Sequence, residues 1–226
     1  MKEILIKNGI SEKAAEAFEV YKDLLLEWNE KINLTAITDE SEIAFKHFLD
    51  SLSLLKFADL KNKTLIDVGT GAGFPGLPLK IAEPTVKLTL LDSLNKRVIF
   101  LKEVVSVLGL NDVSCIHQRA EEAAKPPMRE AFDFAVSRAV ADMAVLSELC
   151  LPFVKPGGYF TALKGPSPEE ELKKAKKAVE ILGGKIEKTE KVTISDFTHT
   201  LVFIKKIKHT PKAYPRQFAK IKKSPL

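Results

Sequence analysis

Hydrophobic and polar positions follow one period near the start of the chain and another from residue 63 onward. Over residues 11–29, apolar side chains recur three or four positions apart, which predicts an amphipathic helix. Residues 39–57 predict a second helix. From residue 63, short apolar runs alternate with helical stretches, and this alternation is typical of parallel β-strands joined by helices.

The alternating region predicts five strands and four helices. The strands cover residues 64–68, 87–91, 113–117, 132–137 and 159–163, and the helices cover residues 76–82, 93–108, 142–151 and 168–182. Two further apolar runs, 185–194 and 200–207, flank a short polar stretch and predict an antiparallel hairpin. The pattern therefore predicts an α/β fold with a Rossmann-like, seven-stranded sheet and helices on both faces, preceded by a helical extension.

The first predicted strand runs into a turn that contains four glycines. Its sequence is Asp67-Val68-Gly69-Thr70-Gly71-Ala72-Gly73-Phe74-Pro75-Gly76. Glycines let a ligand approach the backbone closely, and a helix N-terminus presents free N–H groups. The spacing Gly71-x-Gly73-x-x-Gly76 also matches a dinucleotide fingerprint, which is weak evidence when it stands alone.

Two carboxylates favour one class of cofactor over another. Asp67 lies two positions before Gly69, and Asp92 ends the next strand. A carboxylate at Asp67 would repel a pyrophosphate but attract the ammonium and sulfonium of S-adenosylmethionine, and Asp92 stands where a carboxylate accepts hydrogen bonds from ribose hydroxyls. We therefore predict that both acids, with Gly69, Gly71 and Gly73, bind S-adenosylmethionine. The alternative is that the glycines only make a tight turn and Asp92 only begins a loop.

Residues that follow the other strands are further candidates, because ligands of such sheets bind at the carboxyl ends of the strands. They include Phe74, Ser93, Ala120, Glu121, Ser137-Arg138-Ala139 and Lys164-Gly165. Glu121, with the backbone at Ala120, is placed to accept the adenine amino group. Arg138 fits a phosphate or a guanine edge, and the alternative is a salt bridge that closes the sheet edge. Lys164 presents the same two alternatives.

Composition limits the class of protein. A chain of 226 residues, 45% of them hydrophobic, suits one compact unit. We expect a helical extension over residues 1–60, a catalytic domain over 61–207 and a basic tail over 208–226. No apolar run approaches the roughly 18 residues that cross a bilayer. The apolar segment near the N-terminus is too short for a signal peptide, so we expect a cytoplasmic protein. Cys115 and Cys150 lack metal-ligand spacing, and no metal site is expected.

Positive charge is concentrated at the end of the chain. Residues 205–226 contain eight Lys or Arg and no acid, so residues 1–204 carry a net charge of −3 although the whole chain carries +5. Such a tail indicates a polyanion at one edge. We predict RNA contacts for Tyr214, Arg216, Lys220, Lys222 and Lys223, because aromatic rings stack on bases and cations meet phosphates. The alternative is a solvated, disordered terminus.

The acceptor of the methyl group is approached by elimination. Neither cysteine is placed as a covalent nucleophile, and Pro126-Pro127 lacks the form of the loop that accompanies exocyclic amines of adenine. Hydroxyl acceptors need a general base, whereas the N7 lone pair of guanine is free at neutral pH. The pattern favours N7 or another acceptor that is intrinsically nucleophilic.

The order of motifs resembles the RsmG family, also called glucose-inhibited division protein B. The motifs are Asn33-Leu34-Thr35, Lys46-His47-x-x-Asp50-Ser51-Leu52, the glycine turn, Leu91-Asp92-Ser93-x-x-Lys96-Arg97, Ser137-Arg138-Ala139, Lys164-Gly165 and Tyr214-Pro215-Arg216. The resemblance spans nearly the whole chain. It implies an S-adenosylmethionine-dependent methyltransferase that modifies N7 of one guanine in 16S ribosomal RNA (guanine 527 in the customary rRNA numbering).

The resemblance also implies roles for individual residues. It places cofactor contacts at Gly69, Phe74, Asp92-Ser93, Ala120-Glu121 and Arg138. It makes Asn33, His47 and Asp50 cleft or substrate residues, with Asn33, His47 and Arg138 as the catalytic candidates. The partner is 16S rRNA or the small ribosomal subunit, with no membrane, and we expect a monomer. This chain departs from the family at Gln217-Phe218-Ala219-Lys220-Ile221, where relatives have small residues, glycine and proline.

Two alternatives stay open. One is a non-catalytic RNA-binding factor for ribosome assembly that keeps the cofactor fold. The other is an enzyme for another RNA or a small molecule, whether a methyltransferase or an NAD enzyme.

Overall fold

The computed structural model describes residues 1–138 and 141–226. Within them, one sheet contains seven strands in the order β3-β2-β1-β4-β5-β7-β6. The strands are β1 (Thr64–Val68), β2 (Lys87–Asp92), β3 (Val113–His117), β4 (Phe132–Arg138), β5 (Val154–Lys164), β6 (Gly184–Ile194) and β7 (Phe197–Lys206). β1 to β5 pair in parallel, and β7 pairs antiparallel to β5 and β6. The predicted sheet is confirmed.

Helices cover both faces of this sheet. They are α1 (Lys2–Lys7), α2 (Glu12–Ile32), α3 (Glu40–Ile43), α4 (Asp50–Leu52), α5 (Gly76–Ala82), α6 (Asn95–Val107), α7 (Ala120–Ala123), α8 (Met143–Cys150), α9 (Glu169–Ile181) and α10 (Phe218–Lys223). A π-helical turn, Ala44–Leu49, joins α3 to α4, and 3₁₀ turns cover Ser53–Lys56 and Leu151–Phe153. The sequence pattern does not predict α1, α7 and α10, because four to six residues are too few to show a period.

Neighbouring residues of β1 point to opposite faces and so belong to two apolar layers. Leu65 packs in the layer that contains α1, α2, α5 and α6, including Phe100. Ile66 packs in the layer that contains α8 and α9, including Leu146. Because both faces are covered, the central strands are apolar on both sides. The N-terminal helices therefore share a core with the sheet.

Two strands begin several residues before their predicted starts. β5 begins at Val154, five residues before the predicted start, because a register irregularity opposite Phe132 and Phe134 lets a Pro-Gly-Gly stretch stay in the sheet. β7 begins at Phe197, so His199, which was predicted in the turn, lies in the strand. That shift places His199 near the carboxyl end of β5, where β7 pairs with Lys164.

Candidate active site

The glycine turn is fixed by hydrogen bonds from its own backbone. Gly69 N–H donates to Leu91 O at 2.8 Å, and Gly71 N–H donates to Asp92 Oδ2 at 2.9 Å. The turn thereby ties the end of β1 to the end of β2. Gly71 has a φ of +62° with open space where a β-carbon would stand, which is the close approach that the sequence predicts for a ligand.

Asp67 lies under the turn and lines neither of the cavities described below. Its Oδ2 accepts hydrogen bonds from Thr70 Oγ1–H and from Gly76 N–H, each at 2.8 Å. Burial raises the pKa of Asp67 to about 7, although both donors oppose the shift. Its strand position directs this carboxylate inward, where it shapes the turn, and its contact with a cationic cofactor stays a prediction.

Gly73 also serves the fold. Its φ is +101°, and a β-carbon there would overlap the hydroxyl of Tyr21 and a methyl of Leu77. The Tyr21 hydroxyl donates a hydrogen bond to Ala72 O. Helix α2 therefore presses on the turn at Gly73, and a cofactor contact of Gly73 stays a prediction.

A cavity of about 230 Å³ opens beside the turn, at the ends of β1 and β2. Its lining includes Gly69, Leu91, Asp92, Ser93, Gln118, Arg119, Ala120, Glu121, Leu149 and Phe218. Arg119 Nε donates to Glu121 Oε1 at 2.7 Å. A mostly apolar lining with the two acids Asp92 and Glu121 suits a flat heterocycle that carries an amino group.

A second cavity, of about 420 Å³, shares Gly69, Asp92 and Ser93 with the first. It is lined further by Leu34, Thr35, His47, Thr70, Gly71, Ala72, Phe74, Arg97 and Arg138. The two cavities are thus the two ends of one cleft over the carboxyl ends of β1, β2 and β4. Asp92 stands at their junction.

Arg138, the last residue of β4, connects the sheet to the N-terminal helices. Its Nη1 donates to Asp50 Oδ2 at 2.7 Å and to Lys46 O at 3.1 Å. The guanidinium also lies 4.8 Å from the ring centroid of Phe74 and 3.4 Å from His47 Nδ1. Arg138 thus forms a salt bridge and also lines the cleft, and its contact with a phosphate or a guanine edge stays a prediction. Ala139, which follows it, lies outside the described residues.

His47 is buried in the same group of side chains. Its Nε2 lies 2.8 Å from Thr35 Oγ1, and its ring stacks on Phe74 at 4.5 Å between centroids. Burial, assisted by the charge of Arg138, lowers the pKa of His47 to about 4. The imidazole is therefore neutral at physiological pH. Asn33 instead caps the end of α2, exposed and with a φ of 50°, and it is absent from the described lining of the cleft.

Beyond Arg138 lies a third cavity of about 200 Å³, which Asp50, Leu163, Lys164, Gly165 and His199 line with it. His199 Nδ1 is 2.9 Å from Asp50 Oδ1, and its Nε2 is 3.0 Å from Ser53 Oγ. Burial raises the pKa of Asp50, but His199 and Arg138 more than offset it, so the pKa is lowered. We name Asp50, Ser53, Arg138 and His199 the Asp50 cluster. Sequence reasoning missed His199, and a carboxylate within a buried helix was the signal for a cationic partner.

The basic candidates divide into paired and exposed groups. Lys164 Nζ lies 2.7 Å from Glu171 Oε1 and donates to Ala141 O at 3.0 Å. Arg216 Nη2 lies 2.6 Å from Glu148 Oε2 within the protein. Tyr214 packs against the α8–α9 layer. Lys220, Lys222 and Lys223 are exposed. Arg216 and Tyr214 thus anchor the tail on the body of the protein, and their contacts with RNA stay a prediction.

Both cysteines are free thiols, with Cys115 half-buried and Cys150 buried. Burial raises the pKa of the Cys115 thiol to about 11 and raises that of Cys150 as well, so both stay protonated. Among the described residues, no three His, Cys, Asp or Glu side chains group as metal ligands. No helix in residues 1–138 and 141–226 has the length and apolar character to cross a bilayer.

This sheet order, with a glycine turn after β1, an acid at the end of β2 and a cleft above both, defines an S-adenosylmethionine-dependent methyltransferase. A methyltransferase of that class from Aquifex aeolicus has the same fold, with a TM-score of 0.53 and 24% identity over 74% of this chain and 93% of that chain.

Residues 14–199 match the GidB family, described as rRNA small subunit methyltransferase G, and the chain belongs to this family. Two relatives bear the name ribosomal RNA small subunit methyltransferase G. The protein from Clostridium kluyveri is 57% identical over 92% of this chain and 89% of its own length. The protein from Alkaliphilus metalliredigens is 55% identical over 99% of this chain and 98% of its own length.

The residues fit the cofactor of that class. Asp92 Oδ1 accepts from Leu94 N–H and Oδ2 from Gly71 N–H, each at 2.9 Å. A carboxylate oxygen has two lone pairs, so both oxygens keep acceptor capacity for ribose hydroxyls. Gly71 has open space where a β-carbon would stand, and Glu121 lines the opposite end of the cleft.

Proposed function

We propose that this enzyme transfers the methyl group of S-adenosylmethionine to N7 of a guanine in 16S rRNA, guanine 527 in the customary numbering. The observation that carries the proposal is the cleft itself. It joins the glycine turn to Arg138 and to a neutral His47, and its described lining offers no strong base beside the turn. N7 needs no base, because its lone pair is free at neutral pH.

The two ends of the cleft divide the cofactor between them. The backbone of Gly69, Gly71 and Phe74 holds the methionine end, Asp92 and Ser93 hold the ribose, and Ala120 with Glu121 holds the adenine. The bound cofactor supplies an electrophilic methyl group on its sulfonium. Since the methionine end lies in the cavity that Arg138 and His47 also line, the target base enters there.

The side chains in the second cavity orient the base and exclude water. His47 stacks on the ring of Phe74, and the guanidinium of Arg138 lies 4.8 Å from the centroid of that ring. Arg138, fixed by Asp50, can donate to a phosphate or to guanine O6 and leave N7 free for attack. Correct alignment of nucleophile, methyl group and sulfur is the main contribution that such a site makes. Asn33 and Lys164 stay as proposals at the rim of the cleft.

RNA is bound along the exposed face of the tail. Lys220, Lys222 and Lys223 project from α10, while Arg216 and Tyr214 fix the segment on the body. We propose that 16S rRNA or the small subunit meets this face, and that the enzyme acts as a cytoplasmic monomer. Replacing the three lysines by Gln should lower the salt slope of RNA binding by roughly 2. An unchanged slope would assign the phosphate contacts elsewhere.

The proposal is tested by methyl transfer to small-subunit RNA that lacks native modifications. Labelled S-adenosylmethionine should place label on the RNA, and mass spectrometry should locate it at N7 of one guanine. Arg138→Ala should lower turnover by about 100-fold, and Arg138→Lys should restore only part, since an ammonium lacks the planar fork. Label on a small molecule, or RNA binding without transfer, would favour the alternative functions.

A further inference from the structure

The C-terminal segment reaches the adenine end of the cleft. The cavity there is lined by Leu91, Glu121 and Leu149, and α10 contributes Phe218. Among the described residues of that lining, Phe218 is the one aromatic side chain. An aromatic ring is the side chain against which a flat purine packs most favourably.

Arg119 contacts both Phe218 and Glu121, which line the same cavity. Its guanidinium lies over the Phe218 ring, 4.7 Å from the centroid. Its Nε donates to Glu121 Oε1 at 2.7 Å. A cation over an aromatic face is attracted to it, so Arg119 stabilises the ring beside Glu121.

Buried anchors on both sides of Phe218 fix its position. On one side, Arg216 Nε donates to Glu148 Oε1 at 2.8 Å and its Nη2 donates to Oε2 at 2.6 Å. Glu148 is fully buried, and the next residue, Leu149, lines the cavity. On the other side, Ile221 is fully buried. A ring between two such anchors is a fixed wall of the cavity.

We infer that Phe218 packs against the adenine ring of S-adenosylmethionine, so that the basic tail is also part of the cofactor pocket. The inference rests on the proposed placement of adenine beside Glu121. Lys220, Lys222 and Lys223 follow Phe218 on the same short helix. One docked segment therefore carries a contact for the cofactor and contacts for phosphates.

Calorimetry with the full chain tests the inference without RNA and without turnover. Phe218→Ala should weaken the binding of S-adenosylmethionine by about tenfold, the order expected for loss of one stacked ring. Adenosine should lose affinity by the same factor, because it retains the base. Phe218→Tyr should bind as the unsubstituted protein does. Phe57→Ala, a half-buried phenylalanine remote from this cavity, is the matched control and should leave affinity unchanged.

The outcomes separate the two claims. If the unsubstituted protein fails to bind S-adenosylmethionine, the proposed function is overturned. If it binds and Phe218→Ala binds equally well, this inference is overturned while the proposed function stands. Limited trypsin digestion of the unsubstituted protein gives a second measurement that needs no variant. Cleavage after the exposed Lys220 and Lys222 should slow at saturating adenosine, and an unchanged rate would also overturn the inference.

Discussion

The two sides of Arg138 are constructed in different ways. Toward β2, the wall is backbone: the glycine turn is closed by N–H groups that bond to Asp67, Leu91 and Asp92. Toward β7, the wall is the Asp50 cluster, in which side chains 88 and 146 positions apart in the chain meet. The first depends on local conformation and the second on charges brought together by the whole fold, so the two should respond to different changes.

The Asp50 cluster should show the largest effect. Asp50→Ala leaves Arg138 and His199 without their carboxylate in a buried site, and breaking such a pair costs about 3–5 kcal/mol. Urea unfolding should report that loss in the free energy of unfolding. Asp23→Ala removes an exposed partner of Lys22 and should cost no more than about 1 kcal/mol. Equal losses for the two variants would show that the cluster is solvated.

Substitutions in the glycine turn should have the next largest effect on stability, and the effect should differ between two of its glycines. Gly73→Ala combines a positive φ with overlap against Tyr21 and should cost about 3 kcal/mol. Gly71→Ala has a positive φ but open space, and about 1 kcal/mol is expected. Thermal unfolding of both variants measures the difference. If Gly71→Ala is the more harmful to folding, the description of α2 pressing on the turn is wrong.

Lowering the pH should reduce the free energy of unfolding through the protonation of His47. The pKa of His47 is lowered to about 4 in the folded protein, against an unfolded value of about 6.5. Between these values the unfolded chain binds more protons, so the free energy of unfolding falls by about 1.4 kcal/mol per pH unit as the pH drops through this window. Above about pH 6.5 the term is constant. His47→Gln should remove that part of the slope in urea titrations at several pH values, and identical slopes would contradict it.

The smallest effect is expected where the two sides meet α2. Tyr21→Phe removes the hydroxyl that donates to Ala72 O but keeps the packed ring. One buried hydrogen bond is worth about 1 kcal/mol. Chemical denaturation should show that loss, with Tyr159→Phe on β5 as a control that stays near zero. A loss at position 159 equal to that at 21 would remove any special status from the Ala72 contact.

Local sequence was sufficient for the backbone side of the cleft. β1, the glycine turn and the acid at Asp92 lie within thirty residues, and their spacing alone predicts the cradle. The orientation of Asp67 was not predictable in this way, because whether a carboxylate at the end of a strand faces a ligand or the underside of a turn depends on packing. The hydrogen bond from Gly76 N–H to Asp67 shows that this carboxylate faces the underside of the turn.

The other side depended on distant partners. Arg138 stood out from the sequence, but its partner Asp50 lies on helix α4, far away in the chain, and His199 falls in a stretch that the sequence predicts as a turn. Similarly, the sequence predicts a free basic terminus. Glu148 lies in a largely apolar helix, and nothing near it in the sequence indicates that it pairs with Arg216. Charge and composition predict which side chains seek partners, and only the fold selects them.

The position of the first sixty residues has a practical meaning. Tyr21 donates a hydrogen bond to the glycine turn at Ala72 O, the rings of Phe48 and Phe74 pack with their centroids 5.9 Å apart, and Asp50 forms a salt bridge with Arg138. A protein cut to begin at residue 61 would keep every strand yet lose the support on one side of its own catalytic centre. The helical extension is therefore a structural support of the cleft, and any minimal version of this enzyme would have to retain it.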